Sequence, residues 1–198
     1  MARFTPTLVE DYDFLEITSN LQKMCRRGEE YKAAYSAFLL HTSGYGLYLW
    51  RRLVIISCED VGNGDSQTSI LVSSLFQSWL QLHKHNKQPT LDKFLLPLQA
   101  VLYICKCSKS RECDSLANLI EEHFKTKKRL TVDPISKDSH TSAKKTLGRF
   151  GDLTDGKEKM RLDKWFNEGS VINNQAYPDK WQKELAKIWY SRIPEDKK

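Results

Sequence analysis

The sequence predicts an all-α fold, an orthogonal or antiparallel helical bundle, on three observations. Apolar residues recur at helical spacing through most of the first 124 residues. The breaks between these stretches are short and rich in turn residues: Gly28, Ser43-Gly44-Tyr45-Gly46 and Gly62-Asn63-Gly64-Asp65. The most strand-like run, Val54-Ile55-Ile56, lies inside fifteen residues without a breaker, Leu47 to Val61, and a glycine follows it, which suits a helix better.

Taken in order, residues 1–13 form a lead-in, where Thr5-Pro6 argues against helix. The core domain spans 14–124. Its first helix is expected over Phe14–Arg27, with Leu15, Leu21 and Met24 among its apolar positions and Gly28 ending it. The second, Glu29–Thr42, starts with acid and sets Tyr31, Ala34, Tyr35 and Phe38 on one face. The third is the central stretch. Asp65 or Ser66 caps a fourth helix carrying Ile70, Leu71, Leu75, Trp79 and Leu82. It fades into a polar loop, where His83 and His85 read as surface residues rather than ligands. A fifth begins near Thr90, with Pro97 either kinking it or lying in its first turn. A basic junction, Lys106–Arg111, leads to a sixth over Ser115–Phe124. Residues 125–156 form a basic loop segment with one short helix around Ser142–Leu147, and 157–198 a C-terminal helical arm expected to dock on the core. The arm carries Trp165-Phe166, then Trp181, Leu185, Ile188 and Trp189 after the start signal Tyr177-Pro178.

The central helix organises the rest. Leu49, Leu53 and Ile56 share one stripe, and Trp50, Val54 and Val61 share its neighbour. Its charges are Arg51 and Arg52 early and Glu59 and Asp60 late. Acids in a last turn face the negative end of the helix dipole, at roughly 0.3–1 kcal/mol each. Something else must favour them. The leading reading is an ionic network tying this helix to its neighbours, ahead of a ligand or subunit contact, with a catalytic carboxylate pair a distant third.

Composition sets further bounds. Of 198 residues, 40% are hydrophobic and 28% charged, as in an ordinary globular protein. There is no apolar run of membrane-spanning length and no signal-peptide pattern at the start, so the expected location is cytoplasmic, with no membrane partner. An odd set of five cysteines, several within apolar helical patterns, argues against a disulfide framework. Cys105, Cys107, Cys113 and His123 lack metal-ligand spacing, so neither a metal nor any other cofactor is expected. The net charge of +6 is local: residues 125–149 hold eight Lys and Arg against two acids, and the rest of the chain nearly balances. Lys125, Lys127, Lys128, Arg129, Lys144, Lys145 and Arg149 are therefore candidate nucleic-acid contacts, although a solvated basic loop has the same footprint.

Gly151-Asp152-Leu153-Thr154-Asp155-Gly156-Lys157 imitates a phosphate-binding loop, but Glu158 stands where magnesium needs a hydroxyl, and two aspartates would face the phosphates. No other catalytic motif appears, and no catalytic residue is assigned.

Residues 21–62, with Arg51, Arg52, Glu59, Asp60, Val61 and Gly62, resemble the C-terminal domain of the MgsA/RarA family of replication-associated AAA+ ATPases, which includes the Werner helicase-interacting protein. The family shows an arginine pair, a short apolar run and a Ser-Glu-Asp-(Val/Ile)-Gly-like end; here Cys58 replaces the usual serine. Residues 97–116 are similar to its Ala-rich helix and Pro-Lys-Ser element, with Lys109 and Ser110 matching and Ser108 in place of proline. His140-Thr141, Gly148-Arg149 and Asn167-Glu168-Gly169 resemble elements of small proteins related to that domain. No intact ATPase module accompanies them, so the parent's ATP hydrolysis does not carry over.

The resemblance implies a clamp-loader-type collar through which subunits oligomerise, commonly as tetramers, in proteins acting at stalled replication forks. The expected function is a non-enzymatic oligomerisation or adaptor module in DNA replication, recombination or repair. Its partners would be further copies of itself, tetramer favoured, and DNA or a replication protein such as a separate AAA+ ATPase. Two rivals stand beside it: a nucleic-acid-binding protein using segment 125–149 with Trp165 or Phe166 stacking on bases, and an enzyme of unspecified reaction built around Arg51, Arg52, Glu59, Asp60 and His140.

Overall fold

The computed structural model describes residues 6–132, 167, 171–173 and 180–193. The chain divides into two compact units, Met1–Lys128 and Arg129–Lys198.

In the first unit, α1 (Phe14–Arg27) starts where Asp13 leaves extended backbone and its Oδ1 accepts the N–H of Glu16 at 2.8 Å. Phe14, Ile17, Leu21, Met24 and Cys25 form its buried stripe. It closes at Gly28, whose N–H donates to the Cys25 carbonyl.

α2 (Glu30–Thr42) buries Ala33, Ser36, Ala37 and Leu40, and Asn20 of α1 donates to Ser36 Oγ at 2.8 Å. Small side chains bring α1 close on this side, so the aromatic stripe lies on the other. Tyr31, Tyr35 and Phe38 are exposed, with the Tyr31 and Tyr35 rings stacked at 6.2 Å.

α3 (Gly46–Ile56) buries Leu49, Trp50, Leu53 and Ile56. The expected helix to Val61 is altered at its end: Ser57–Val61 widens into a π-helical turn, and the Gly62 N–H reaches back to the Ser57 carbonyl. Trp50 stacks on Phe76 with ring centroids 5.5 Å apart and lies 6.3 Å from Trp79. Both partners sit on α4 (Gln67–His85), where Asp65, not Ser66, caps the start by accepting the Gln67 N–H at 2.9 Å. His83 is not a simple surface residue. It is half-buried and stacks on Trp79 at 4.4 Å, because the helix persists to His85.

α5 (Leu91–Lys106) buries Phe94, Ala100, Val101, Ile104 and Cys105, and Pro97 lies inside it rather than in its first turn. α6 (Glu112–Lys125) begins three residues before the expected Ser115 and buries none of its side chains. Leu116, Leu119, Ile120 and Phe124 line one of its faces, all exposed.

The core of α1–α5 includes Leu21, Leu49, Leu53, Ile56 and Ile104, all fully buried. Each contributes about 1.5–3 kcal/mol by leaving water.

In the second unit, α7 (Lys180–Ser191) exposes Trp181 and Ile188, and Ile193 beyond it is buried. The expected short helix at 142–147 and the Trp165-Phe166 pair lie outside the described residues. Among the described residues there is no strand beyond an isolated bridge between Thr7 and Asp13, and no helix is long and apolar enough to cross a membrane.

Candidate functional site

The π-helical turn presents its two acids to α1. Counting on from Leu49, Leu53 and Ile56, the next position on the buried stripe is Asp60, so a carboxylate lies where an apolar side chain would be expected; it has no exposed surface. Burying that charge is costly unless every lone pair is matched. The matching groups come from α1. Gln22 and Arg26, four residues apart on one face, both reach it. Arg26 Nε donates to Asp60 Oδ1, and Gln22 Nε2 donates to Asp60 Oδ2 at 3.0 Å and to Glu59 Oε1 at 2.7 Å. The Arg26 guanidinium is pushed up from its ordinary value, first by its hydrogen bond to Asp60.

The sequence-predicted residues divide sharply here. Arg52 takes part, but through an intermediary: its Nη2 donates to Gln22 Oε1, so the carboxamide relays between the arginine and the acids. Arg51 is exposed. A third guanidinium, Arg111, approaches from the α5–α6 junction, with Nε 3.5 Å from Asp60 Oδ1, Nη2 3.9 Å from Glu59 and a direct bond to Asp114. Gln22, Arg26, Arg111 and Asp114 escape a reading of the sequence. The four-residue spacing of Gln22 and Arg26, and the continuation of the core stripe to Asp60, were the available signals.

The same turn is joined to the α5–α6 junction through the backbone. Ser110 N–H donates to the Val61 carbonyl at 3.0 Å. A Cβ on Gly62 would lie 2.8 Å from the Ser110 carbonyl oxygen, and Gly62 adopts φ +48°, a left-handed value. A Cβ on Gly64 would meet the Lys109 backbone at 2.6 Å. Lys109 folds its ammonium back onto the Cys105 and Cys107 carbonyls at 2.9 and 3.1 Å, closing the α5 C-terminus. Thus the Arg-Arg…Glu-Asp-Val-Gly block and the Lys-Ser block, nearly fifty residues apart, are the two halves of one joint. Beside it the Cys25 and Cys105 thiols share a hydrogen bond that raises Cys25, with burial adding to the rise, and lowers Cys105.

The acids of this arrangement are occupied by hydrogen bonds. Both Asp60 oxygens accept hydrogen bonds, and Glu59 accepts from Gln22. Among the described residues no three His, Cys, Asp or Glu side chains converge as a metal site requires.

The basic segment is described only at its start. Lys125 pairs with Glu121 and Glu122 at 2.9 and 3.0 Å, Lys128 approaches His123 Nε2 at 3.4 Å, and Lys127 and Arg129 are exposed. His140, Thr141, Lys144, Lys145, Gly148 and Arg149 lie outside the described residues.

The family described as MgsA AAA+ ATPase C terminal matches residues 31–191, a span that includes both halves of the joint. None of the curated proteins matches the chain.

Proposed function

From the premise that this chain belongs to the MgsA AAA+ ATPase C-terminal family, we propose that it is a non-enzymatic helical module that self-associates, a tetramer being favoured, and serves DNA replication, recombination or repair in the cytoplasm. The observation that carries the reading is the joint itself. Its acids are committed to Arg26, Gln22 and Arg111, as expected of a scaffold and not of a reaction centre. The central helix leaves Leu47, Arg51 and Ile55, spaced by four, exposed as one stripe, which supports assembly through α3. A separate AAA+ ATPase is the partner class the family membership favours.

Light scattering across a range of protein concentrations tests it. A defined oligomer that Ile55→Glu dissociates, with helicity unchanged, supports the reading. A monomer at every concentration removes self-association from it.

A second reading rests on the eight basic residues against two acids in 125–149: phosphate contacts to nucleic acid. Neutralising Lys144, Lys145 and Arg149 together should weaken DNA binding and flatten its dependence on salt. Unchanged affinity would exclude that segment as the contact.

A further inference from the structure

Away from the joint, the α2–α3 turn, the end of α4 and the start of α5 line a small pocket that is partly open to solvent. Its lining includes four basic side chains, His41, His83, Lys87 and Lys93, and no acid. Lys93 is buried, and its ammonium donates to the Asn86 and Gln88 carbonyls. Those are dipoles; the carboxylate whose field reaches Lys93 is its neighbour Asp92, which is not part of the lining.

The imidazoles register this field. His83 is pushed down by burial and then by Lys93 and Lys87; His41 is pushed down by burial and by Lys93, against the Thr90 carbonyl and Asp92, which favour its charged form. Two buried polar atoms of the lining residues have no partner, Trp79 Nε1 and His41 Nδ1. His41 Nε2 lies 3.0 Å from the Thr90 carbonyl, which fixes it as the protonated nitrogen of the neutral ring. On taking up a proton, Nδ1 becomes a donor as well. Nothing lies within 4 Å of a Cβ built on Gly44, so the lining is open there.

We propose that this pocket binds a phosphate-class oxyanion, with Lys93, Lys87 and the two imidazoles supplying the counter-charge. An oxyanion brings the missing negative charge and several acceptors at once. Little of the pocket is enclosed, and its mouth is open to solvent. It therefore suits a phosphoryl group rather than a whole nucleotide, whether free phosphate or a phosphate of nucleic acid reaching in. Lys87 is remote in sequence from segment 125–149, so the inference is independent of the module's assembly and of that segment's contacts.

The test is an NMR titration of the histidines in the full chain, in inorganic phosphate and in chloride at equal ionic strength. Phosphate should raise the pKa of His41 and His83 by roughly one unit or more, as an opposite charge within a few ångströms does. His85, exposed and outside the lining, should not move. Lys87→Gln should shrink the phosphate effect at least several-fold while leaving the thermal midpoint in chloride unchanged, since Lys87 is exposed. Superimposable titrations in the two salts, an equal shift at His85, or a full phosphate effect in Lys87→Gln would each overturn the proposal. A short duplex without terminal phosphates distinguishes the sources: the same shifts with the duplex identify backbone phosphate, and shifts with inorganic phosphate alone identify the free anion.

Discussion

The backbone N–H of Ser110 donates to the carbonyl of Val61 at 3.0 Å, and that bond fastens the start of α6 to the turn that ends α3. Around it the approach is so close that Gly62 and Gly64 have no room for a side chain.

Gly62→Ala should therefore destabilise the protein by about 2–3 kcal/mol, through a left-handed backbone and a clash with Ser110 together. Gly44→Ala is the control. Gly44 also has a positive φ, +83°, but open space around it. Its cost should be the backbone strain alone, about 1 kcal/mol. Urea unfolding of the two variants measures the difference, and equal losses would show that the approach of Ser110 is not limiting.

Asp60→Asn keeps the side-chain shape and removes the charge that Arg26 and Arg111 face. A loss of about 2–3 kcal/mol is expected, below the roughly 3–5 kcal/mol of a fully buried pair, because both arginines retain access to water. Gln22→Ala and Arg52→Ala, alone and combined, should be non-additive by roughly 1 kcal/mol, since the carboxamide relays the arginine to the acids. An additive double-mutant cycle would show that Arg52 is not coupled to Gln22.

His41 makes stability depend on pH in a definite direction. Burial holds its folded-state pKa below the ordinary 6.5, so the unfolded chain takes up the proton first as pH falls. Its neutral form is therefore no handicap above pH 7, and stability declines as pH drops through about 6.5 towards the lower folded value. Asp65 and Asp92, both pushed below 3.8, contribute only further down, as pH falls below the ordinary carboxylate range. Urea midpoints in chloride buffers at pH 7.5 and 5.5 should differ in the wild type, and His41→Gln should narrow that difference.

The five cysteines should separate by accessibility. Cys58 and Cys113 are exposed, whereas Cys25 and Cys105 are buried. Brief treatment with a maleimide, read by peptide mass, should label the first pair well before the second. Rapid labelling of Cys25 would mean that the α1–α5 contact opens readily.

Much of the fold was legible because periodicity and punctuation agreed. Phe14–Arg27 is bounded by Asp13 and Gly28, and the helix matches the expected limits residue for residue. The α2 stripe of Tyr31, Tyr35 and Phe38 was legible as a stripe but not as the exposed one, because size of side chain does not reveal which face a neighbouring helix will approach. Glu59 and Asp60 could be marked from their misfit with the helix dipole, and Arg52 as a charge on the same helix. Arg111 could not, since its approach depends on the path of the chain between α5 and α6, which has no local pattern. The basic pocket was least visible: His41, Lys87 and Lys93 meet only once α2, α4 and α5 are packed.

α6 buries none of its fourteen residues, and a helix of that length is marginal in water when left to itself. Its order is therefore supported from outside, at the end where Ser110 and Arg111 anchor it. Whether Leu116, Leu119, Ile120 and Phe124 form a continuous apolar stripe or dissolve into coil then reports on a carboxylate they do not touch. Loss of the Asp60 charge should therefore loosen α6 as well as the joint, which faster amide exchange along Leu116–Phe124 in Asp60→Asn would show.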